Sequence, residues 1–392
     1  MTTKQRNALG SLAVLAAALA AVGLYLLGRP RENKPPVRVI QFADVPTTPE
    51  EVAALEEDDG AAVPNFGYVP DRQDIAAFIE SLEAPTLREA APHLFLPDEL
   101  AEPKQGEGAD SVRGPPADGE PVLLYRALHE AYAARNGGQQ WRVGKQGIGD
   151  CVSWGWAHGC DILLAVDWKL QRSGEWRPAA TEAIYGGSRV EARGKPGDGA
   201  RAYGGWGDGS YGAAAAKWVN RWGILFREPY PFADLTRYDS RRAKDWGAYG
   251  CGGQEGGVAA DDAARAHPIQ QVAVVDDFES AAVAIQNGYP VPVCSGQGFS
   301  STRDADGFCR PSGNWSHCMC FVGARFDRRG LLCLNSWGPN WVRGPKWPED
   351  QPDGSFWVDE RTATRMLSGR DSFAVAGYKG FPRRRLKNSE GW

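Results

Sequence analysis

QGIGDCVSWGWA, residues 146–157, places a cysteine between an aspartate and a valine, behind two glycines and ahead of a tryptophan-rich run. Asp150 is a good helix N-cap, which puts Cys151 in the first helical turn. Unpaired backbone N–H groups and the helix dipole there favour an anion, and the thiolate is the nucleophilic form of cysteine. Apolar residues at Trp154, Ala157, Cys160, Leu164 and Trp168 predict a helix from Cys151 to about Leu170, stopping near Gly174. Taken alone, a cysteine reads by default as an inert buried thiol. The rest of the chain has to supply it with a partner.

A catalytic thiol needs a base, usually histidine. The five histidines are His93, His129, His158, His267 and His317. His158 is seven residues along the same helix, about 10 Å away along the axis and too far to bond. His267 precedes a proline in a loop. His317 heads the strand-like run NWSHCMCFVGA, where alternation puts His317, Met319 and Phe321 on one face. Eighteen residues later comes Asn335, in LLCLNSWGPNW, with a turn expected at RFDRRG between them. Two antiparallel strands would bring His317 and Asn335 together, so that an amide oxygen holds the imidazole toward the thiol, as in a Cys-His-Asn triad. Gln146 could donate its side-chain N–H to an oxyanion alongside the Cys151 amide.

These residues resemble the papain family of cysteine proteases: Gln146-Gly147 and Cys151 before a helix, His317 opening a strand, and Asn335-Ser336-Trp337-Gly338. Softer agreement lies in GDGSYGAAAAKWVNRWGILFREPYPF (residues 207–232) and AAVAIQNGYPVPV (residues 281–293). The resemblance covers roughly residues 122–381. It implies an α+β, papain-like fold of two subdomains, a helical half carrying Cys151 and a β-rich half carrying His317 and Asn335, with the cleft between them. It also implies a peptidase that works through an acyl-enzyme. Three departures stand out. The run is GDCVSW rather than C-G-[SA]-C-[WY]; Cys151 and His317 are 166 residues apart; and Val342 follows Trp341 where the family has glycine. Glycine-rich stretches at residues 189–209 and 251–257 read as loop expansions around the cleft. Two other readings use the same residues: acyl transfer to an acceptor other than water, and a non-catalytic binding module on the same fold.

Helical spacing at 124–132 and 212–222, followed by short β-rich runs beyond residue 289, independently predicts an α+β domain over 122–392. Residues 8–28 carry no charge and are long enough to span a bilayer, so 1–35 is expected to be a transmembrane or signal-anchor segment, with the peptidase domain exported. Residues 36–121 read as an acidic, Pro/Gly-rich spacer or prosegment with two short helices. One lies behind Asp71 and the other behind Thr86, which has capping-box spacing to Glu89. A net charge of −5 gives no basic surplus, so a peptide or protein substrate and the membrane are the expected partners and nucleic acid is not. No metal or organic cofactor is implied. Cys318 and Cys320 flank His317, but alternation turns them away from it, as small core residues.

Overall fold

The computed structural model describes residues 66–96, 120–170, 174–194, 207–384, 386 and 391–392. All of them fall within one compact unit, Val63–Trp392. The apolar run at 8–28 lies outside the described residues, as does most of the spacer; among the described residues no helix is long and apolar enough to cross a membrane.

In chain order the helices are α1 (Arg72–Glu80), α2 (Leu87–Ala90), α3 (Tyr125–Arg135), α4 (Cys151–Lys169), α5 (Thr181–Arg189), α6 (Gly212–Arg221), α7 (Ser240–Tyr249), α8 (Gly253–Arg265), α9 (Phe278–Gln286) and α10 (Glu360–Leu367). The strands are β1 (Val122–Leu123), β2 (Pro229–Tyr230), β3 (Ala233–Asp234), β4 (Gln271–Val274), β5 (Val291–Arg303), β6 (Cys309–Arg325), β7 (Gly330–Leu334), β8 (Ser355–Asp359) and β9 (Phe373–Ala376). The long strand β6 is the spine of the main sheet. It is flanked by β7 and β8 on one side and by β5 and β1 on the other, all antiparallel. Helices therefore dominate the half that carries Cys151, and strands the half that carries His317 and Asn335.

Helix α4 is the pivot between the halves. The expected apolar stripe understates its burial, because all but a few of its residues are inaccessible to solvent. Such a helix belongs in the middle of a protein, covered on every side. Its glycines make the fit to the sheet. A Cβ on Gly155 would lie 2.8 Å from both Cys318 Sγ and Met319 O, and one on Gly159 would lie 2.8 Å from Pro292 Cγ. The two positions are one turn apart on one face, so the helix backbone rests directly on β5 and β6.

The helices expected behind Asp71 and Thr86 both form. Asp71 Oδ1 accepts from the Gln73 and Asp74 amides, and Thr86 and Glu89 make the reciprocal capping box. Residues 66–96, read as spacer or prosegment, share the core of the domain. Phe78 packs on Phe373, Leu87 is fully buried, and the Pro85 carbonyl accepts from the Val274 amide at 2.8 Å. Helices α5, α7 and α8 and the β4–β9 pair lacked a clear signal in the sequence. We expect Leu87→Ala in the full chain to cost about 2–5 kcal/mol in urea unfolding, as for other buried large-to-small changes. A loss below about 1 kcal/mol would show that this segment is only loosely attached.

Candidate active site

Cys151 is the first residue of α4 and is fully buried. Asp150 holds the N-cap position, yet its side chain makes no capping bond, contrary to expectation. Its Oδ2 accepts from the Tyr238 hydroxyl at 2.9 Å. That hydroxyl also accepts from the Gly147 amide, while Asp208 Oδ2 accepts from the Gly149 amide at 3.0 Å. The loop before the cysteine is thus held by two side chains remote in sequence. Burial pushes the Asp150 carboxyl up to about 8, the Tyr238 hydrogen bond opposing it only in part.

His317 and Asn335 meet as expected. The imidazole Nε2–H donates to Asn335 Oδ1 at 2.7 Å, and both side chains are fully buried. The Ser336 amide donates to the same oxygen, also at 2.7 Å. A backbone donor fixes which end of the Asn335 amide is oxygen, and the oxygen fixes the imidazole as the Nε2–H tautomer. Nδ1, left as the basic nitrogen, is buried without a hydrogen-bond partner. A register shift makes the meeting geometrically available. From Arg325 to Gly323 the β6–β7 pairing follows one register, and beyond Phe321 it has slipped by one residue, leaving Val322 as the extra residue. Continuing the shifted register sets Asn335 opposite Met319, on the face that also carries His317. Without the bulge it would fall on the other face.

The remainder of the NSWG element joins the two halves. Ser336 Oγ donates to Gln146 Oε1 at 2.6 Å, the Gln146 amide donates to Ser336 O, and the Gly338 amide donates to Gly144 O. Trp337 lies over the His317 ring with centroids 4.5 Å apart, and Trp315 and Trp341 extend this aromatic wall. Gln146 therefore sits beside the cysteine loop, with its Nε2 donating to Ile148 O at 2.9 Å.

Residues 66–70 lie across this site. The Gly67 and Tyr68 amides donate to Ser316 O, the Val69 amide donates to Ser210 O, and the Ser210 amide donates to Gly67 O. Tyr68 and Ser210 form a parallel bridge. The Gly67 and Cys318 amides act to lower the Cys151 thiol, by less than burial raises it. Only glycine fits at position 67: a Cβ there would lie 1.8 Å from Gly149 O. The Phe66 ring stands edge-on to His317, centroids 6.1 Å apart.

Under this cover both groups are neutral, and His317 Nδ1 makes no hydrogen bond to the Cys151 sulfur. Burial pushes the Cys151 thiol well above its ordinary range and lowers His317 to about 4, the Asn335 bond opposing the latter only in part. In the covered site burial acts against the thiolate more strongly than the helix terminus favours it. His93, His129, His158 and His267 all lie in other settings; His158, for example, stands among Trp141 and Trp154. Cys318 and Cys320 are buried thiols against the α4 glycines, and all eight cysteines are unpaired. No local sequence signal marks Tyr238 or the covering residues 66–70, and Ser336 is marked only through the motif it belongs to.

No family model matches the chain, and no curated protein matches it in sequence. Among solved structures it is similar to xylellain, a cysteine protease from Xylella fastidiosa, at 16% identity over 82% of this chain and 94% of that one, with a TM-score of 0.44. It is also similar to digestive procathepsin L 3 of Tenebrio molitor larval midgut (16% identity, 83% and 86% of the two chains, TM-score 0.38) and to the bromelain protease from Ananas comosus (14%, 65% and 98%, TM-score 0.38). Likenesses this weak decide nothing by themselves.

His317 titration checks the electrostatics. Because the folded value is lowered, the unfolded chain takes up the proton first, so stability from the neutral ring is lost as pH falls from about 6.5 toward 4. Long-range proton–nitrogen spectra should show an Nε2–H neutral ring at pH 7. An imidazolium there would contradict the neutral pair.

Proposed function

We propose that the chain is a cysteine peptidase, and the observation that carries this reading is the His317 Nε2–Asn335 Oδ1 bond, which leaves Nδ1 as the only basic atom of the ring. Once the cover lifts, Nδ1 takes the Cys151 proton and the sulfur attacks a substrate peptide carbonyl carbon. The Cys151 amide and the Gln146 side chain, turned from Ile148 O, donate to the developing oxyanion. The imidazolium gives its proton to the leaving amine, and water, deprotonated by the same ring, releases the acid and restores the thiol. Trp337 keeps water off the His317–Asn335 bond.

Residues 66–70 act on this reading as an inhibitory occupant. The Gly67 amide donates to Ser316 O, and the Gly67 carbonyl is turned to the Ser210 amide. The segment therefore fills the site without offering it a carbonyl carbon to attack.

The test uses the full chain and a Tyr68→Ala chain with a loosened cover, an epoxysuccinyl thiol-protease inhibitor, and mapping of the adduct by mass spectrometry. Labelling should select Cys151 among the eight cysteines and should be faster in the loosened chain. His317→Ala should slow labelling and peptide hydrolysis by about 10²–10⁴-fold, the range for removing a general base. Labelling spread over several cysteines of a folded sample would refute the reading. Transfer to added amines in preference to water would move it to the acyl-transfer alternative.

A further inference from the structure

Five of the eight cysteines lie in strands of the main sheet: Cys294 in β5, Cys309, Cys318 and Cys320 in β6, and Cys333 in β7. Strand register decides which of them face one another. Cys309 is opposite Arg303, Cys320 is opposite Pro292 and Leu334, and Cys333 is opposite Phe321. Only Cys294 and Cys318 are direct partners, across the β5–β6 ladder. Both are buried, and both are free thiols.

Opposed residues in an antiparallel ladder alternate between hydrogen-bonded and non-hydrogen-bonded pairs. Two observations put this pair in the second class. The Cys294 amide donates to Ser372 Oγ at 3.2 Å, just ahead of β9, which lies along the edge of β5 remote from β6. Pro292, two residues earlier in the same unbroken register, has no N–H to give the ladder. At a non-hydrogen-bonded pair the Cα atoms are about 4.5 Å apart, inside the span of about 4.4–6.8 Å that a disulfide bridges. The two side chains also share a face of the sheet, the one on which Cys318 Sγ rests against Gly155. A change of rotamer, with the backbone in place, is enough to join the sulfurs.

Access is unequal. Cys294 lines a cleft of about 1000 Å³ bounded by α1, α10 and the β5–β6 hairpin, and Cys318 does not. The walls are largely polar and carry Arg72, Arg365 and Arg370 against one carboxylate, Glu80. A small disulfide bearing carboxylates suits both the volume and the charge.

We propose that Cys294 and Cys318 form an oxidation site, in which a low-molecular-weight disulfide enters the cleft and converts the pair to a cross-strand disulfide. Cys294, its proton released to water, attacks one sulfur of the small disulfide and expels the other half as a thiolate. Cys318 gives its proton to that thiolate, attacks the Cys294 sulfur and displaces the second half, which takes a proton from water. Two protein thiols and one small disulfide become one protein disulfide and two small thiols. The bond closes a loop over residues 295–317, so it restrains β6 up to His317.

The test adds glutathione disulfide to the full chain, purified with its thiols reduced, and maps thiols, adducts and bridges by mass spectrometry without reduction. The unsubstituted chain should yield a Cys294–Cys318 bridge with no glutathione retained on either residue, and the Cys151→Ala chain should yield the same bridge. Cys318→Ala, or Cys318→Ser should the alanine chain fail to fold, should stop at a glutathione adduct on Cys294. Cys294→Ala should slow modification of Cys318 about tenfold or more, because Cys318 has no access of its own to the cleft. A Cys151–Cys318 bridge, glutathione retained on Cys294 of the unsubstituted chain, or both thiols unchanged in a folded sample would each overturn the proposal.

Discussion

The candidate site depends on how closely a helix can lie on a sheet. Gly155 and Gly159 bring α4 against β5 and β6 with backbone nearly touching side chain, and the first residue of that helix is Cys151. Cys318, directly after His317, is the residue whose sulfur packs against Gly155 of that helix. A Cβ at Gly155 would have to displace Cys318 or the helix, and displacement of reacting groups by as little as 1 Å can cost about 10²-fold in rate. The two glycines thus set how closely the helix that begins at Cys151 lies against the strands, from positions about one and two turns along it.

Much of what remains is concentrated in four residues. Asn335 fixes the imidazole tautomer, Ser336 fastens Gln146, Trp337 shields the His317–Asn335 bond, and Gly338 joins Gly144. The motif spans the two halves, so its backbone bonds carry the relative placement of cysteine loop and histidine strand. Electrostatics then follows accessibility. In a site closed to water, burial outweighs the helix terminus and both partners stay neutral. Readmitting solvent is what would favour the thiolate–imidazolium form.

The candidate site residues are readable in the sequence because each sits at a local signal: a loop-to-helix junction for Cys151, an alternating strand for His317, and a hairpin return for Asn335. The class of fold followed from the order of helical and strand-like runs. Other features were not legible, for identifiable physical reasons. The Val322 bulge is a property of pairing between strands, and simple alternation cannot show that Asn335 needs it to share a face with His317. The state of the thiol depends on burial by residues 66–70, which lie more than eighty positions upstream. Asp150 occupies the expected capping position, but its carboxyl is engaged by Tyr238, 88 residues downstream. Helices α7 and α8 carry too few large apolar residues for their periodicity to stand out.

The unequal attachment of the covering segment has a kinetic consequence. Residues 66–70 are held largely by backbone hydrogen bonds and the Tyr68 side chain, whereas α1, α2 and the residues after them share the buried core. The outer residues can detach as a local opening while the inner ones remain folded. The cover is then a competitor on a very short leash, returning at an effective concentration on the order of millimolar. On the peptidase reading, a free peptide would have to outcompete that internal concentration, so turnover would be governed by substrate abundance near the site as much as by the reactivity of the thiol.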